Sequence, residues 1–344
     1  MDYPPTPEEP TPSEAPSLAG VGARGTARAS MREEFLALFR DTERAPLSLP
    51  TIPETADGPQ LRAGAQSVFL RRFLQLGASS AELAPSGLAD LDDRLAGGFG
   101  FGLHLVLGLP GVGKTAFLES VAWEAVSERR PVLYYTLRDG GSGTWKRLIS
   151  TLGHILDGPT IPLDALRAHA LSPADLQTLT RLDLVLQASV LPYLSLVETI
   201  PAYTDTLSAF IEDVRLRAQE VKEQHGKIPL LLIDDLDRLL VVTRAQPLSL
   251  LLSRLDDVLA ADSMPGLLSA TVLDSSSYDL GGLPIQAVLA LVPAPASATG
   301  ALERVDLELR TNARTGWTGT LPLLRSRCSG LFTHPRAGTK PQSV

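Results

Sequence analysis

Cysteine and histidine are scarce in this sequence, and their scarcity narrows the chemistry that the chain can carry out. Cys328 is the only cysteine among 344 residues, which excludes an internal disulfide framework and a cysteine-based metal site. The five histidines show no spacing typical of metal ligands. They are His104, His154, His169, His225 and His334. We therefore interpret them as packing or surface residues.

Long apolar runs and an excess of basic charge are also missing. No uninterrupted apolar stretch approaches the roughly 18 residues that span a bilayer, and the N-terminal residues 1–5 lack the basic and apolar regions of a signal peptide. We therefore expect no membrane partner and a cytoplasmic location. The net charge of −8 argues against a protein whose whole surface binds nucleic acid. It does not exclude a ring with basic loops in its pore.

What the chain has in quantity is apolar residues, at 44% of the sequence, which is ample for a sizeable core. Residues 1–30 carry six prolines in their first sixteen positions and are predicted to be a disordered tail. Residues 31–80 are predicted to form a helical arm or linker, 81–334 a folded domain, and 335–344 a second disordered tail.

The arm contains two predicted helices. Residues 31–40 place Met31, Phe35 and Leu38 or Phe39 on one helical face, and a second apolar helix is predicted from Leu61 to Leu76. The first helix either packs on its own domain or is donated to a neighbouring subunit. Residues 1–44 are therefore a candidate segment for binding a protein partner.

A phosphate-binding loop is the most informative motif. Residues 108–115 read GLPGVGKT and match the pattern G-x-x-x-x-G-K-[ST]. The apolar run at 104–107 predicts a strand before the loop, and helical spacing at 114–126 predicts a helix after it. The glycines allow successive backbone N–H groups to converge on one anion at the helix N-terminus. We expect Lys114 to reach the β- and γ-phosphates and the Thr115 hydroxyl to bind Mg²⁺.

A second acidic motif follows about 120 residues later. Residues 228–233 are predicted to form an apolar strand that ends in Asp234 and Asp235. Because strands and helices alternate from residue 85 onward, the sheet should be parallel, and the Asp234 carboxylate should emerge beside Thr115 to hold Mg²⁺. A helix cap or a solvated turn would also explain an Asp-Asp pair. The predicted nucleotide-binding residues are Gly108, Leu109, Pro110, Gly111, Val112, Gly113, Lys114, Thr115 and Asp234.

Several segments between about 82 and 334 resemble the RecA-like motor domain of DnaB-type replicative helicases. They are residues 85–98 (PSGLADLDDRLAGG), 110–117 (PGVGKTAF), 230–236 (LLLIDDL) and 314–321 (RTGWTGTL). The RecA, RadA and KaiC relatives share the fold and the first motifs, and the C-terminal pattern favours the helicase branch. The resemblance implies an α/β, RecA-like P-loop NTPase fold with a mostly parallel central sheet, flanking helices and a C-terminal antiparallel β-hairpin.

The resemblance also implies roles for individual residues. ATP is the implied nucleotide, with Lys114 on the phosphates and Thr115 and Asp234 on Mg²⁺. Arg314 would be an arginine finger that enters the ATP site of the next subunit, which implies a homo-oligomeric ring, a hexamer, with single-stranded DNA as a possible substrate.

The sequence departs from the family at residues that take part in ATP hydrolysis. The glutamate that activates the attacking water is replaced by Arg138, and a cation cannot act as a general base. Asp139 is the alternative catalytic carboxylate, although strand alternation predicts that it faces the other way. Asn312 replaces a lysine two residues before the finger, and Thr271 replaces a sensor glutamine. The loop at 274–282 lacks a Lys/Arg cluster, which weakens the prediction of DNA binding there.

Three hypotheses for the function follow. The chain is an ATP-hydrolysing ring motor on single-stranded DNA, or a degenerate ATP-binding regulatory or scaffolding paralogue that does not unwind DNA, or a recombinase- or clock-type member of the same superfamily. Arg138 favours the second over the first. Arg314 favours the first, because a finger has less purpose where no transition state is stabilised. We expect slow hydrolysis of ATP.

Overall fold

Strands and helices alternate along the part of the chain that the structure describes. The computed structural model describes residues 83–137, 140–155, 160–198, 207–244, 248–271, 285–294, 302–326 and 330–333. The α-helices in it are α1 Ala89–Arg94, α2 Lys114–Ser127, α3 Gly140–Ile155, α4 Leu163–Ala168, α5 Pro173–Val185, α6 Leu207–His225, α7 Leu236–Thr243 and α8 Leu248–Ala261, and a short π-helix, Leu186–Val190, follows α5. The strands are β1 Gly102–Gly108, β2 Val132–Thr136, β3 Leu194–Val197, β4 Leu230–Asp234, β5 Pro265–Thr271, β6 Ile285–Pro293, β7 Leu302–Asn312, β8 Gly319–Ser326 and β9 Phe332–Thr333.

These strands form one mixed sheet in the order β3-β2-β4-β5-β1-β6-β7-β8-β9. The strands from β3 to β6 pair in parallel, whereas β6 to β9 pair in antiparallel fashion. The predicted fold class is thereby confirmed, including the C-terminal hairpin, which consists of β7 and β8.

Burial along the strands explains this division. Every residue of β1, β2 and β4 is buried, as expected of parallel strands that carry helices on both faces. In β7, burial is concentrated at alternate residues, with Val305, Leu307 and Leu309 at most 1% exposed. A strand with one face on the core shows this period of two.

Helices cover the parallel part of the sheet with one apolar face each. On α6, Phe210, Val214 and Ala218 are buried at a spacing of four residues, which is the spacing of a single helical face. They join a core cluster that includes Leu105 of β1 and Leu255 of α8. In the part of the chain that the structure describes, no helix has the length and apolarity needed to cross a membrane.

Several predicted elements have structural counterparts. The strand predicted at 104–107 and the helix predicted at 114–126 correspond to β1 and α2. Strand β4 extends one residue beyond the predicted end, so that Asp234 is its last residue. The tails, the arm and the helices predicted at 31–40 and 61–76 lie outside the described residues, and the domain boundaries stay predictions.

Candidate functional site

The phosphate-binding loop connects β1 to α2, and its glycines are required by its geometry. Gly111 and Gly113 have φ angles of 81° and 107°, in the left-handed region that side chains with a Cβ rarely adopt. A Cβ at Gly113 would also clash with the guanidinium of Arg325 and lie 3.1 Å from Phe332. No side chain caps α2 at Gly113, and the N-terminus of a helix after a glycine-rich loop is suited to bind an anion.

Lys114 bends back over this loop. Its Nζ donates hydrogen bonds to the carbonyl oxygens of Gly108 (2.8 Å) and Leu109 (3.1 Å), and the residue is 5% exposed. A bound triphosphate would offer stronger, charged acceptors to the same ammonium group. The lysine is therefore held where the predicted role needs it.

Thr115 and Asp234 meet at the same edge of the sheet. The Thr115 hydroxyl donates to Oδ2 of Asp234 at 2.7 Å, across 119 residues of sequence. Asp234 is 4% exposed, and it lies at the carboxyl end of β4 in register with Thr136 of β2. The structure thus brings together the two residues predicted to bind Mg²⁺.

Ser269 is a member of this site that the sequence analysis missed. Its hydroxyl donates to the other carboxylate oxygen of Asp234, Oδ1, at 2.5 Å, and Ser269 is fully buried on β5. Both oxygens of Asp234 are therefore held by hydroxyl groups from different elements. The sequence offered one signal for this role, since Ser269 carries the one hydroxyl in the otherwise apolar segment 266–270.

The residues after Asp234 organise the same edge. Asp235 accepts a hydrogen bond from the backbone N–H of Arg238 (2.7 Å) and caps α7, so the helix-cap interpretation holds for this residue. Asp237 accepts from the backbone N–H of Thr271 (2.8 Å) and fixes the end of β5.

The residues predicted to replace the catalytic base follow the end of β2. Arg138 and Asp139 lie outside the described residues, so the missing glutamate and its possible replacement stay predictions. The chain just before them is held against the site, because the N–H of Leu137 donates to the carbonyl of Asp234 at 2.6 Å. Leu137 is therefore fixed beside the predicted metal residue.

The turn that carries Arg314 lies at the end of the sheet where β1 begins, opposite to the end where β1 leads into the phosphate-binding loop. Asn312 at the end of β7 pairs with Ala287 of β6, which pairs with His104 near the start of β1. The phosphate loop leaves the other end of β1, at Gly108. Because β1 has seven residues, roughly 20 Å separates the two edges. The structure does not bring Arg314 to the predicted ATP site of its own chain.

Arg314 is exposed, and it lies beside the segment that precedes β1. Its Nη1 would be 3.5 Å from a Cβ at Gly100. Burial, with a smaller contribution from the Arg314 charge, lowers the pKa of His104 to about 4. The neighbouring histidine is therefore neutral at pH 7.

A different arginine of the hairpin contacts the phosphate loop. Arg325 donates to the carbonyl of Gly111 through Nη1 (3.0 Å) and to Oε2 of Glu303 through Nη2 (2.5 Å). The hairpin thus carries Arg325 at the loop end and Arg314 at the far end. Arg325 was not predicted from the sequence, because no local pattern marks it.

These residues fit Mg²⁺ with a nucleoside triphosphate. Among the residues that the structure describes, no group of three His, Cys, Asp or Glu side chains could hold a metal ion. Mg²⁺ in phosphate-transfer sites instead uses one or two carboxylates together with substrate phosphates and water. One carboxylate and one hydroxyl beside a glycine-rich anion cradle match that ligand set.

Comparisons with known proteins agree with this arrangement. A family model described as the DnaB-like helicase C terminal domain matches residues 84–258, just over half of the chain. No curated protein sequence shows significant similarity to the chain.

Three solved structures are similar in fold. One, described as an ATPase domain, is 18% identical, with a TM-score of 0.55, and the match covers 78% of this chain and 96% of that one. A DnaB-like replicative helicase, solved with its interactions with primase, is 15% identical at a TM-score of 0.57, with 91% and 75% covered. The KaiC-like protein PH0186 from Pyrococcus horikoshii OT3 is 15% identical at a TM-score of 0.51, with 74% and 99% covered.

Proposed function

The chain belongs to the family of DnaB-like helicase C-terminal domains, and from this premise we propose that it binds Mg²⁺ and ATP at residues 108–115 and Asp234. We propose further that it hydrolyses ATP slowly and acts in DNA metabolism as a homo-oligomeric ring. The hydrogen bond between Thr115 and Asp234 carries the proposal. This hydrogen bond supports the proposal because it joins a hydroxyl and a carboxylate that are 119 residues apart in sequence, beside the glycine-rich loop.

The site residues divide the work between binding and charge stabilisation. The N–H groups of the loop and of the first turn of α2 bind phosphate oxygens. Lys114 exchanges its bonds with the Gly108 and Leu109 carbonyls for bonds to phosphate, which balances negative charge. Thr115 and Asp234 hold Mg²⁺, which neutralises charge on the phosphates when it is bound.

The proposed ring rests on the position of Arg314. Roughly 20 Å of sheet lies between Arg314 and the loop of its own chain, so a finger role requires the loop of a neighbouring chain. Each site would then be completed by the next subunit, which a closed ring, here proposed as a hexamer, provides for every site.

Slow hydrolysis is proposed because Arg138 stands where a general base is expected. The same residue supports a second candidate function, an ATP-binding scaffold or regulator that does not unwind DNA. Binding of single-stranded DNA, and of a protein partner through residues 1–44, are further parts of the proposal that rest on the sequence.

Steady-state hydrolysis, with and without single-stranded DNA, tests the proposed function. We expect turnover below about 1 s⁻¹, loss of activity in Lys114→Ala, and faster turnover in Arg138→Glu. Lys227→Ala is the matched control, because this exposed lysine lies before β4, away from the loop. Turnover above about 1 s⁻¹ that Arg138→Glu does not change would show that the missing base is not limiting.

Two further outcomes separate the candidates. Hydrolysis that is absent in the natural protein and appears only in Arg138→Glu would reject the motor and favour the scaffold. Mass measurement in solution, with and without ATP, tests the ring separately. A monomer under both conditions would exclude a role for Arg314 in a neighbouring site.

A further inference from the structure

We infer that Asn312 is a positioning residue for Arg314: it folds the turn that presents the finger and fixes that turn to the end of α1. The inference rests on the proposed role of Arg314 in the neighbouring site. It concerns a residue that the resemblance marks only as a departure, an asparagine in place of a lysine.

The Asn312 side chain uses both of its polar atoms. Its Oδ1 accepts hydrogen bonds from the backbone N–H groups of Arg314 (3.1 Å) and Thr315 (3.2 Å). Its Nδ2 donates to the carbonyl of Arg94 (2.9 Å) and to the hydroxyl of Thr315 (2.6 Å). Asparagine favours such turns because its short side chain reaches backbone groups two residues on.

The turn is attached to α1 through the backbone carbonyl and the side chain of Arg94. Arg94 is the last residue of α1, and the final carbonyls of a helix lack partners within the helix. The Arg94 carbonyl accepts from Asn312 and also from the Thr315 hydroxyl at 2.9 Å. The Arg94 guanidinium lies 4.6 Å from the ring centre of Trp317, which is a cation–π contact.

Asn312 and Arg314 differ in their exposure to solvent. Asn312 is 6% exposed, whereas Arg314 is exposed. The Arg314 guanidinium forms no ion pair with any residue that the structure describes. The backbone of the finger is therefore held in place while its charged group stays available to a second chain.

The chemistry requires an amide at this position. Aspartate could accept from the two N–H groups but could not donate to the Arg94 carbonyl, and alanine could do neither. The Asn312→Ala variant should free the turn, and Asn312→Asp should retain part of its order. Thr311→Ala is the matched control, because Thr311 is exposed on the same strand and pairs through its backbone with Val288.

Mixed full-length subunits isolate finger donation. A Lys114→Ala subunit donates a finger but has a disabled site, and an Arg314→Ala subunit has an intact site but no finger. Their mixture should release phosphate from γ-labelled ATP, followed for hours so that slow turnover is measurable. Adding Asn312→Ala to the donor should lower this turnover about 10- to 100-fold, because displacing a catalytic group by about 1 Å has that effect.

The KM for ATP should stay unchanged in this mixture, since the site-donating subunit keeps all its binding residues. Adding Asn312→Asp should give an intermediate turnover, and Thr311→Ala should have no effect. Amide hydrogen exchange at Arg314 and Thr315 should accelerate in Asn312→Ala but not in Thr311→Ala, while exchange in β1 stays slow and shows that the variant is folded.

Unchanged exchange at these two amides would overturn the inference, as would faster exchange with unchanged finger donation. A fall in turnover accompanied by a matching rise in KM would also overturn it, because binding rather than positioning would then be affected. Failure of the unsubstituted mixture to hydrolyse ATP would refute the finger itself. That outcome is distinguishable, since it is seen before Asn312 is changed, and the positioning role would fall with it.

Discussion

The hydroxyl of Ser269 is expected to stabilise the Asp234 carboxylate, which is proposed to bind Mg²⁺, and removal of this hydroxyl gives a measurable prediction. In Ser269→Ala, Asp234 loses the donor to Oδ1 at 2.5 Å and keeps the Thr115 donor to Oδ2 at 2.7 Å. Hydrogen bonds to charged groups contribute about 1.5–3 kcal/mol. Both residues are buried, so water cannot replace the lost donor.

We expect a loss of about 2 kcal/mol in the free energy of unfolding. For a domain of this size that corresponds to a fall in Tm of about 4–8 °C. Because Ser269 also orients Asp234, the Mg²⁺ concentration that half-saturates binding of a fluorescent ATP analogue should rise at least about tenfold. Circular dichroism and a Mg²⁺ titration measure the two effects.

Ser120→Ala is the control for this prediction. The Ser120 hydroxyl donates only to the Ala116 carbonyl of its own helix, at 2.8 Å, and its removal should cost less than about 0.5 kcal/mol. The reasoning would be refuted if Ser269→Ala melted at the same temperature as Ser120→Ala and showed the same Mg²⁺ dependence.

Two further predictions concern residues near the two edges of the sheet. Burial lowers the pKa of His104 from 6.5 to about 4, so the unfolded chain binds the proton first and stability is lost as pH falls from about 6.5 to 4. Between pH 7 and 5 the loss should be about 2 kcal/mol. The loss should disappear in His104→Gln, which can still bond the Gly100 carbonyl; unfolding free energies of the two proteins that fall in parallel would contradict this. Asp235→Ala removes the cap of α7 and should lower the free energy of unfolding by about 1 kcal/mol. Asp235→Asn should restore most of this loss in denaturant titrations, and a loss that asparagine did not restore would show that the cap is not its cause.

Local patterns were sufficient to predict a parallel sheet and part of the site, whereas the RecA-like fold with its C-terminal hairpin was implied by the family resemblance. The loop at 108–115 is contiguous, so its strand, turn and helix could be read from neighbouring residues. Asp234 could be placed beside Thr115 because the carboxyl ends of parallel strands meet at one edge. Both predictions depend on sequence spacing rather than on the pairing of individual side chains.

The remaining contacts depend on strand order and register, which spacing does not determine. Ser269 reaches Asp234 only because β5 lies between β4 and β1. Arg325 reaches Gly111 only because β8 runs antiparallel to β7 and ends at the loop. Asn312 meets Arg94 across 218 residues. Because these contacts are long-range, the sequence showed Asn312 only as an asparagine in place of a family lysine. In the structure its side-chain amide takes part in four hydrogen bonds.

Calorimetric titration of the full-length protein with ATP, in the presence and absence of Mg²⁺, tests the proposed site most directly. Binding should require Mg²⁺ for full affinity, and Lys114→Ala should weaken it roughly 30- to 150-fold, the equivalent of about 2–3 kcal/mol for a hydrogen bond to a charged group. Lys227→Ala should bind as tightly as the natural protein. Equal affinity of the natural protein and Lys114→Ala, or binding that is indifferent to Mg²⁺ and to Asp234→Asn, would contradict the assignment of residues 108–115 and Asp234 as the ATP site.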